Sequence, residues 1–253
     1  MLNSFYVSAL GMQAQKAQLD VVSNNLANAN SAGYKRERID FSAMLDRQVQ
    51  DVANDDKSAK SVALSSLHRD LSQGEFRATD SVLDVAVNGQ GLFEIALPEE
   101  RTGYVRGGSL KINADGFLTT AEGQLLKSDV RIPATANDLT IDAKGVVSAR
   151  LGNDTQRTEL GRLQLVQFNN MDALNYLGNG VFSAPDGMEP SVKGSPEEDG
   201  LGSVASGKLE MSNVKLVDEM VSLMMAQRVY ELNTKVAQAA DELMAMTNSL
   251  RRA

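Results

Sequence analysis

Apolar positions along this chain follow one period at its two ends and another in between. Near the start, Leu2, Phe5, Ala9, Met12, Leu19 and Leu26 recur at spacings of three and four residues, with Lys16 and Ser23 interrupting the stripe. Near the end, Val229, Leu232, Val236, Ala239, Leu243, Met246 and Leu250 keep that alternation without a gap. Upstream, Val214, Val217, Val221 and Met224 keep it too, but the register slips by one residue near Arg228. Alternation by three and four lays a continuous apolar stripe along one side of a helix, as in a coiled-coil seam, and a one-residue slip is absorbed by a local change in winding. An amphipathic helix lying on its own domain has the same stripe.

Local chemistry agrees with helices at both ends. The two segments are rich in Ala, Met, Gln and Leu, which are good helix formers. Ser212 or Asn213 is the candidate cap of the second helix, Asp218 and Glu219 follow near its positive end, and Arg251 and Arg252 sit at its negative end.

The middle of the chain alternates with a period of two. "LDVAVNGQGLFEIAL" alternates and turns at Gly89 and Gly91, and "GYVRGGSLKINADGFLTTAEGQLL" holds two short runs separated by Asp115-Gly116, a hairpin signal. "INADGFL" (112–118) and "IDAKGVV" (141–147) are two similar strand–turn–strand units, too few for a repeat array. "LGRLQLVQF" (160–168) alternates again. Residues 46–80 are polar, with an acidic patch at Asp51, Asp55 and Asp56, and the Pro/Gly/acid-rich stretch 185–203 predicts a loop or linker before the last helix.

Composition narrows the function classes. At 253 residues the chain is long enough for one large or two ordinary domains. A net charge of -8 argues against a nucleic-acid protein. With no cysteine, disulfides, thiolate metal sites and cysteine nucleophiles are excluded. The N-terminal segment has no basic residue before its apolar positions and no long apolar run, which predicts neither a cleaved signal peptide nor a membrane span.

A search for catalytic chemistry finds nothing convergent. The single histidine, His68, has Asp70 two residues away but no further ligand or serine at a supporting spacing. Gly89-Gln90-Gly91 starts like a dinucleotide fingerprint, yet the third glycine is missing and a strand pattern follows. The acid pairs Asp55-Asp56, Glu99-Glu100 and Glu197-Glu198 lie in polar segments, where adjacent carboxylates are ordinarily solvated. "NADG" lacks the other oxygens of a calcium loop, and Lys35, Arg36 and Arg38 make too short a basic cluster for nucleic acid. The expectation is no enzyme, no metal and no cofactor.

Four segments together carry a family resemblance: "SNNLANANSAGYKRERIDF", "LDVAVNGQGLFEI", "GYVRGGSLKINADGFLTTAEGQLL" and "GKLEMSNVKLVDEMVSLMMAQRVYELNTKVAQAADELM". In this order, and covering most of the chain, they resemble the bacterial flagellar rod and hook family of axial proteins. The resemblance implies an α+β fold in which the terminal helices form a coiled-coil inner domain and an all-β outer domain is inserted between them. The expected boundaries are 1–33 for the first helix, 34–80 for an extended linker, 81–207 for the β-rich domain and 208–253 for the last helix. It also implies a helical homopolymer, a hollow rod that transmits torque from motor to hook.

The partners so implied are further copies of the chain, other rod proteins and hook protein, the surrounding ring proteins and the flagellar type III export apparatus, without nucleic acid or membrane insertion. Two departures leave distal and proximal rod positions both open: the stretch between Tyr34 and Leu83 is shorter than in the distal pattern, and Leu92 and Leu110 stand where aromatics are common. A hook subunit fits less well, because those carry an additional large outer domain.

On this basis the expected subunit interface is the pair of helical stripes: Leu2, Phe5, Met12, Leu19 and Leu26 at one end, and Val214, Val217, Val221, Met224, Val229, Leu232, Val236, Leu243, Met246 and Leu250 at the other. Asn28, Asn30, Gly33, Lys35 and Arg36 form the expected helix-exit hinge. There the asparagines satisfy terminal carbonyls, Gly33 takes a positive φ, and the basic pair complements the helix dipole or a neighbouring subunit's acids.

Overall fold

A computed structural model describes residues 2–39, 67–98, 101–152 and 156–250, with side chains omitted for 2–10, 241, 243, 244 and 247–250. The acidic patch at Asp51, Asp55 and Asp56, and Arg251 and Arg252, lie outside the described residues. The fold is mixed, with two long helices and many short strands: α1 (Leu2–Ala27) opens the chain and α2 (Leu216–Leu250) closes it.

By internal contacts the described residues form two compact units. One holds α1, α2 and the short strands β1 (Glu37–Ile39) and β2 (Leu67–Arg69); the other holds residues from 30–35 and 71–213. In the helical unit, α1 and α2 lie side by side and antiparallel. Asn25 donates to Glu219 at 3.3 Å, while a Cβ on Gly11 would stand 3.4 Å from the Asn233 amide nitrogen. The same number of residues separates each pair of positions, in opposite chain directions. β1 and β2 pair antiparallel, Arg38 opposite His68. The stretch expected as an extended linker therefore contains paired strands at both of its described ends.

The β unit is all antiparallel among its described strands. β4 (Asp84–Asn88) is the middle of a three-stranded sheet, between β17 (Ser203–Ser206) and β7 (Gly107–Ser109). A four-stranded sheet runs β14 (Asn175–Gly178), β15 (Val181–Ser183), β6 (Thr102–Val105), β5 (Phe93–Ala96). A third sheet orders β10 (Ala136–Ile141), β11 (Val146–Leu151) and β12 (Arg157–Arg162). Val85, Val87, Phe93, Ile95, Val130, Val147, Leu163 and Leu165 are at most 1% exposed and belong to one continuous core. A smaller cluster gathers Leu92, Tyr104, Val166, Phe168 and Phe182, with Tyr104 and Phe168 edge to face at 4.8 Å.

Three local expectations are modified by packing. Asp84–Val87 is buried at every position instead of alternating, because a central strand is covered on both faces. The run 160–168 is broken into β12 and β13 (Leu165–Gln167), and β13 pairs with β16 (Val192–Gly194) inside the segment expected to be a loop. The second helix begins at Leu216, so neither Ser212 nor Asn213 occupies its cap position; the Asn213 amide instead donates to Ser72 at 3.0 and 3.1 Å. The Asp115-Gly116 hairpin is present, with Asn113 accepting from the backbone N–H groups of Asp115 and Phe117 between β8 (Lys111–Ile112) and β9 (Leu118–Thr119).

Candidate assembly surface

At the exit of α1 the chain follows a defined route. Asn28 donates its side-chain amide to the carbonyl and side-chain oxygen of Asn24, a carbonyl that also accepts from the Asn28 backbone N–H. Asn30 is exposed. Gly33 has φ of 72° and donates its N–H to the Glu210 carbonyl at 2.8 Å. The left-handed conformation explains glycine there, since a Cβ would meet no atom within 4 Å and only the backbone penalty opposes a side chain.

Lys35 and Arg36 then enter two different charge clusters, one in each unit. In the β unit, Lys35 and Glu210 pair at 2.6 Å with side chains 1% and 4% exposed, and Arg106 approaches the other Glu210 oxygen at 2.8 Å. Glu210 also accepts from the Gly74 N–H, Lys35 donates to the Ser72 carbonyl, and Arg106 donates to the Gly89 carbonyl. A Cβ on Gly74 would lie 2.0 Å from the Met211 carbonyl oxygen, so only glycine allows that approach. In the helical unit, Arg36 donates to Glu219 at 2.5 Å, and Asn25 bridges Glu219 and the Glu37 backbone while Arg69 pairs with Glu37. Both basic side chains are thus engaged by acids of their own chain.

These partners were missed in the sequence. Glu219 stood out only as an acid near a helix start, and nothing marked Asn25, Arg106 or Glu210, because the pairing residues lie 175, 183 and 194 positions apart along the chain.

The expected seam divides into several environments. Leu2, Phe5, Leu243 and Leu250 have side chains outside the described residues. Met12, Leu19 and Leu26 are half-buried, and Val214 is buried. The positions of α1 that are most buried are Val21, Val22 and Asn25; on α2 they are Glu219 and Ala226. Asn25 with Glu219, and Gly11 beside Asn233, are points where the two helices approach closely. The large apolar residues of α2 face outward: Val217 is 71% exposed, Leu232 59%, Met246 58%, Val236 57% and Met224 53%, with Val221 and Val229 also exposed.

No group of three or more His, Asp or Glu residues able to hold a metal occurs among the described residues, and no described helix is long and apolar enough to cross a membrane. His68 is exposed on β2. Burial, with a smaller contribution from Glu94, raises the Tyr104 phenol above its ordinary range. The surface that stands out is the outward side of α2.

Three family models match this chain in separate segments. Residues 5–35 match the flagella basal body rod protein, 86–149 the flagellar hook protein FlgE/F/G D1 domain, and 205–250 the flagellar basal body rod FlgEFG protein C-terminal region. The flagellar basal-body rod protein FlgG of Agrobacterium fabrum is 37% identical over 98% of both chains. Proteins of the same description from Caulobacter vibrioides and Borreliella burgdorferi are 33% and 30% identical, over 99% and 100% of this chain and all of theirs. The chain belongs to the flagellar basal-body rod protein family. It is a structural rod protein of the flagellar basal body, and the family is not an enzyme class. The first and last matched segments take in α1 from residue 5, the exit up to Lys35 and all of α2, so the family likeness includes the elements of the candidate surface.

Proposed function

We propose that this rod protein polymerises through its terminal helices into a hollow helical drive shaft that carries torque from motor to hook. The observation that carries the reading is the run of exposed large apolar side chains among the described residues of α2, from Leu216 to Met246, which a chain working alone would leave in water. In the polymer, α1 and α2 make up a coiled-coil inner wall and the β unit the outer part of each subunit. The stripe residues Leu2, Phe5, Met12, Leu19 and Leu26, with those of α2, are its subunit contacts, and residues 28–36 are the hinge through which the chain leaves that wall. Relatives described as FlgG over nearly their whole length favour a distal position over a proximal one.

Its partners are further copies of itself, neighbouring rod and hook proteins, the surrounding rings and the type III export apparatus. Electron microscopy of concentrated protein tests polymerisation, with a hollow tube as the expected result and persistent monomers as the contrary one. Immunolabelling of purified basal bodies tests position, the distal half of the rod being expected.

A further inference from the structure

Beside the Lys35–Glu210–Arg106 cluster the β unit holds a cavity of about 210 Å³. Its buried lining includes Arg106 and Glu210 together with the apolar side chains of Val105, Leu110 and Val181. Ser109, Glu122 and Asn179 line it too and are exposed, so they form its mouth. Volume limits the occupant. Sites for drug-sized ligands run to roughly 300–1,000 Å³, so a space this small takes a short group and not a nucleotide.

Hydrogen bonding decides the charge of that group. Both Glu210 oxygens are engaged: Oε1 accepts from Lys35 Nζ and the Gly74 N–H, and Oε2 from Arg106 Nε. Arg106 uses a second nitrogen, Nη2, on the Gly89 carbonyl at 2.7 Å. Its third, Nη1, has no acceptor among the described residues. Among those residues, the side-chain polar atoms both sealed from solvent and without a partner are Thr79 Oγ1 and Ser128 Oγ. Arg106 Nη1 is therefore not sealed; it reaches accessible space, and Arg106 lines this cavity. A guanidinium keeps its proton and accepts nothing, so the two N–H groups of Nη1 are satisfied only by an acceptor that enters from outside the chain, water included.

We infer that the cavity binds a carboxylate on a short aliphatic stem, its oxygens on Arg106 Nη1 and its stem against Val105, Leu110 and Val181. The planar guanidinium suits a carboxylate, and the apolar lining suits methylene groups. The exposed Glu122 carboxylate at the mouth repels a doubly charged phosphate more than a single carboxylate. A free short-chain acid carries this group, and so does the glutamate side chain of a peptide. The inference stands apart from polymerisation, because every group it uses belongs to one β unit.

Full-length, isotopically labelled protein, kept dilute enough to stay monomeric, is titrated at constant ionic strength with butyrate, with the α-amide of N-acetylglutamate, and with inorganic phosphate. The reporters are the backbone amide resonances of Gly33, Gly107 and Gly108, all of which line the cavity. Saturable shifts of these resonances are expected with butyrate or the glutamate derivative, and the tighter of the two identifies the source of the carboxylate. Arg106→Lys keeps a cation beside Glu210 but removes the fork, and is expected to weaken binding by about tenfold or more. Glu122→Gln, at the exposed mouth, is expected to tighten it about twofold or more and decides the matter if the Arg106 variant does not fold. Absence of a saturable shift, or an affinity unchanged by the substitutions, overturns the site. Tighter binding of phosphate than of either carboxylate overturns the assigned ligand class.

Discussion

Val85, Val87 and Leu163 of the β unit are wholly enclosed by their own chain, whereas Val217 and Met225 of the helical unit are 71% and 63% exposed. The difference lies in where each unit finds the other half of its core. Strands of the β unit are covered by neighbouring sheets of the same chain, so its core is enclosed before any partner arrives, although Leu177 and Ile112 remain exposed. The helices approach each other at Gly11 and Asn233 and at Asn25 and Glu219, positions that allow close approach and hydrogen bonding but remove little apolar surface from water. Hiding a large aliphatic side chain contributes about 1.5–3 kcal/mol, and in the helical unit much of that gain is left unmade by the chain itself and, under the proposed assembly, is supplied by another copy. In the monomer, limited proteolysis is therefore expected to remove the helices first and leave a core drawn from residues 71–213; helices as resistant as the β unit would erase the contrast.

Substitutions sharpen the same contrast. The largest effect is expected from Leu232→Asp, which places a carboxylate in the apolar stripe of α2. Exposed in the monomer, it costs little there; buried without a partner in the polymer, it costs several kcal/mol per subunit, on the order of 3–5. Sedimentation should find no polymer while urea denaturation of the β unit is unchanged, and normal polymers from this variant would remove α2 from the interface.

Glu210→Ala reverses the pattern. It leaves Lys35 and Arg106 buried without their shared anion, and breaking a buried ion pair in this way destabilises by about 3–5 kcal/mol. The loss should appear in denaturation of the isolated monomer's β unit, before assembly is considered. A change within the scatter of surface substitutions would mean that the cluster adds nothing to stability.

Gly33→Val is expected to cost about 1–2 kcal/mol, because a β-branched residue must adopt a φ near 72° although its side chain would have open space. Gly33→Asn should recover part of it, since asparagine tolerates the left-handed region; equal stabilities of the two variants would show that φ is not the constraint. The smallest effect belongs to Leu232→Met, similar in volume and polarity, with a shift in polymer stability below about 1.5 kcal/mol. If it blocked assembly as firmly as the aspartate, shape rather than polarity would govern the contact.

The sequence by itself determined the element types, because period and turn chemistry are local. The three-and-four alternation marked both helices, and Asp115-Gly116 marked a hairpin. It also determined that α2 carries a long apolar stripe, and through four ordered segments it determined the family. It did not determine which face of α2 meets α1. The large apolar residues suggested that contact, but in the folded chain Asn25 meets Glu219 and Gly11 lies beside Asn233, while Val217, Leu232 and Val236 are exposed. Nor did local pattern reveal the charge clusters. Lys35 and Arg36 looked like a single basic patch at a helix end, but folding sends Lys35 to Glu210 and Arg36 to Glu219. Those partners are far away along the chain, and an ion pair between such distant positions leaves no periodic trace; only the closed fold selects it.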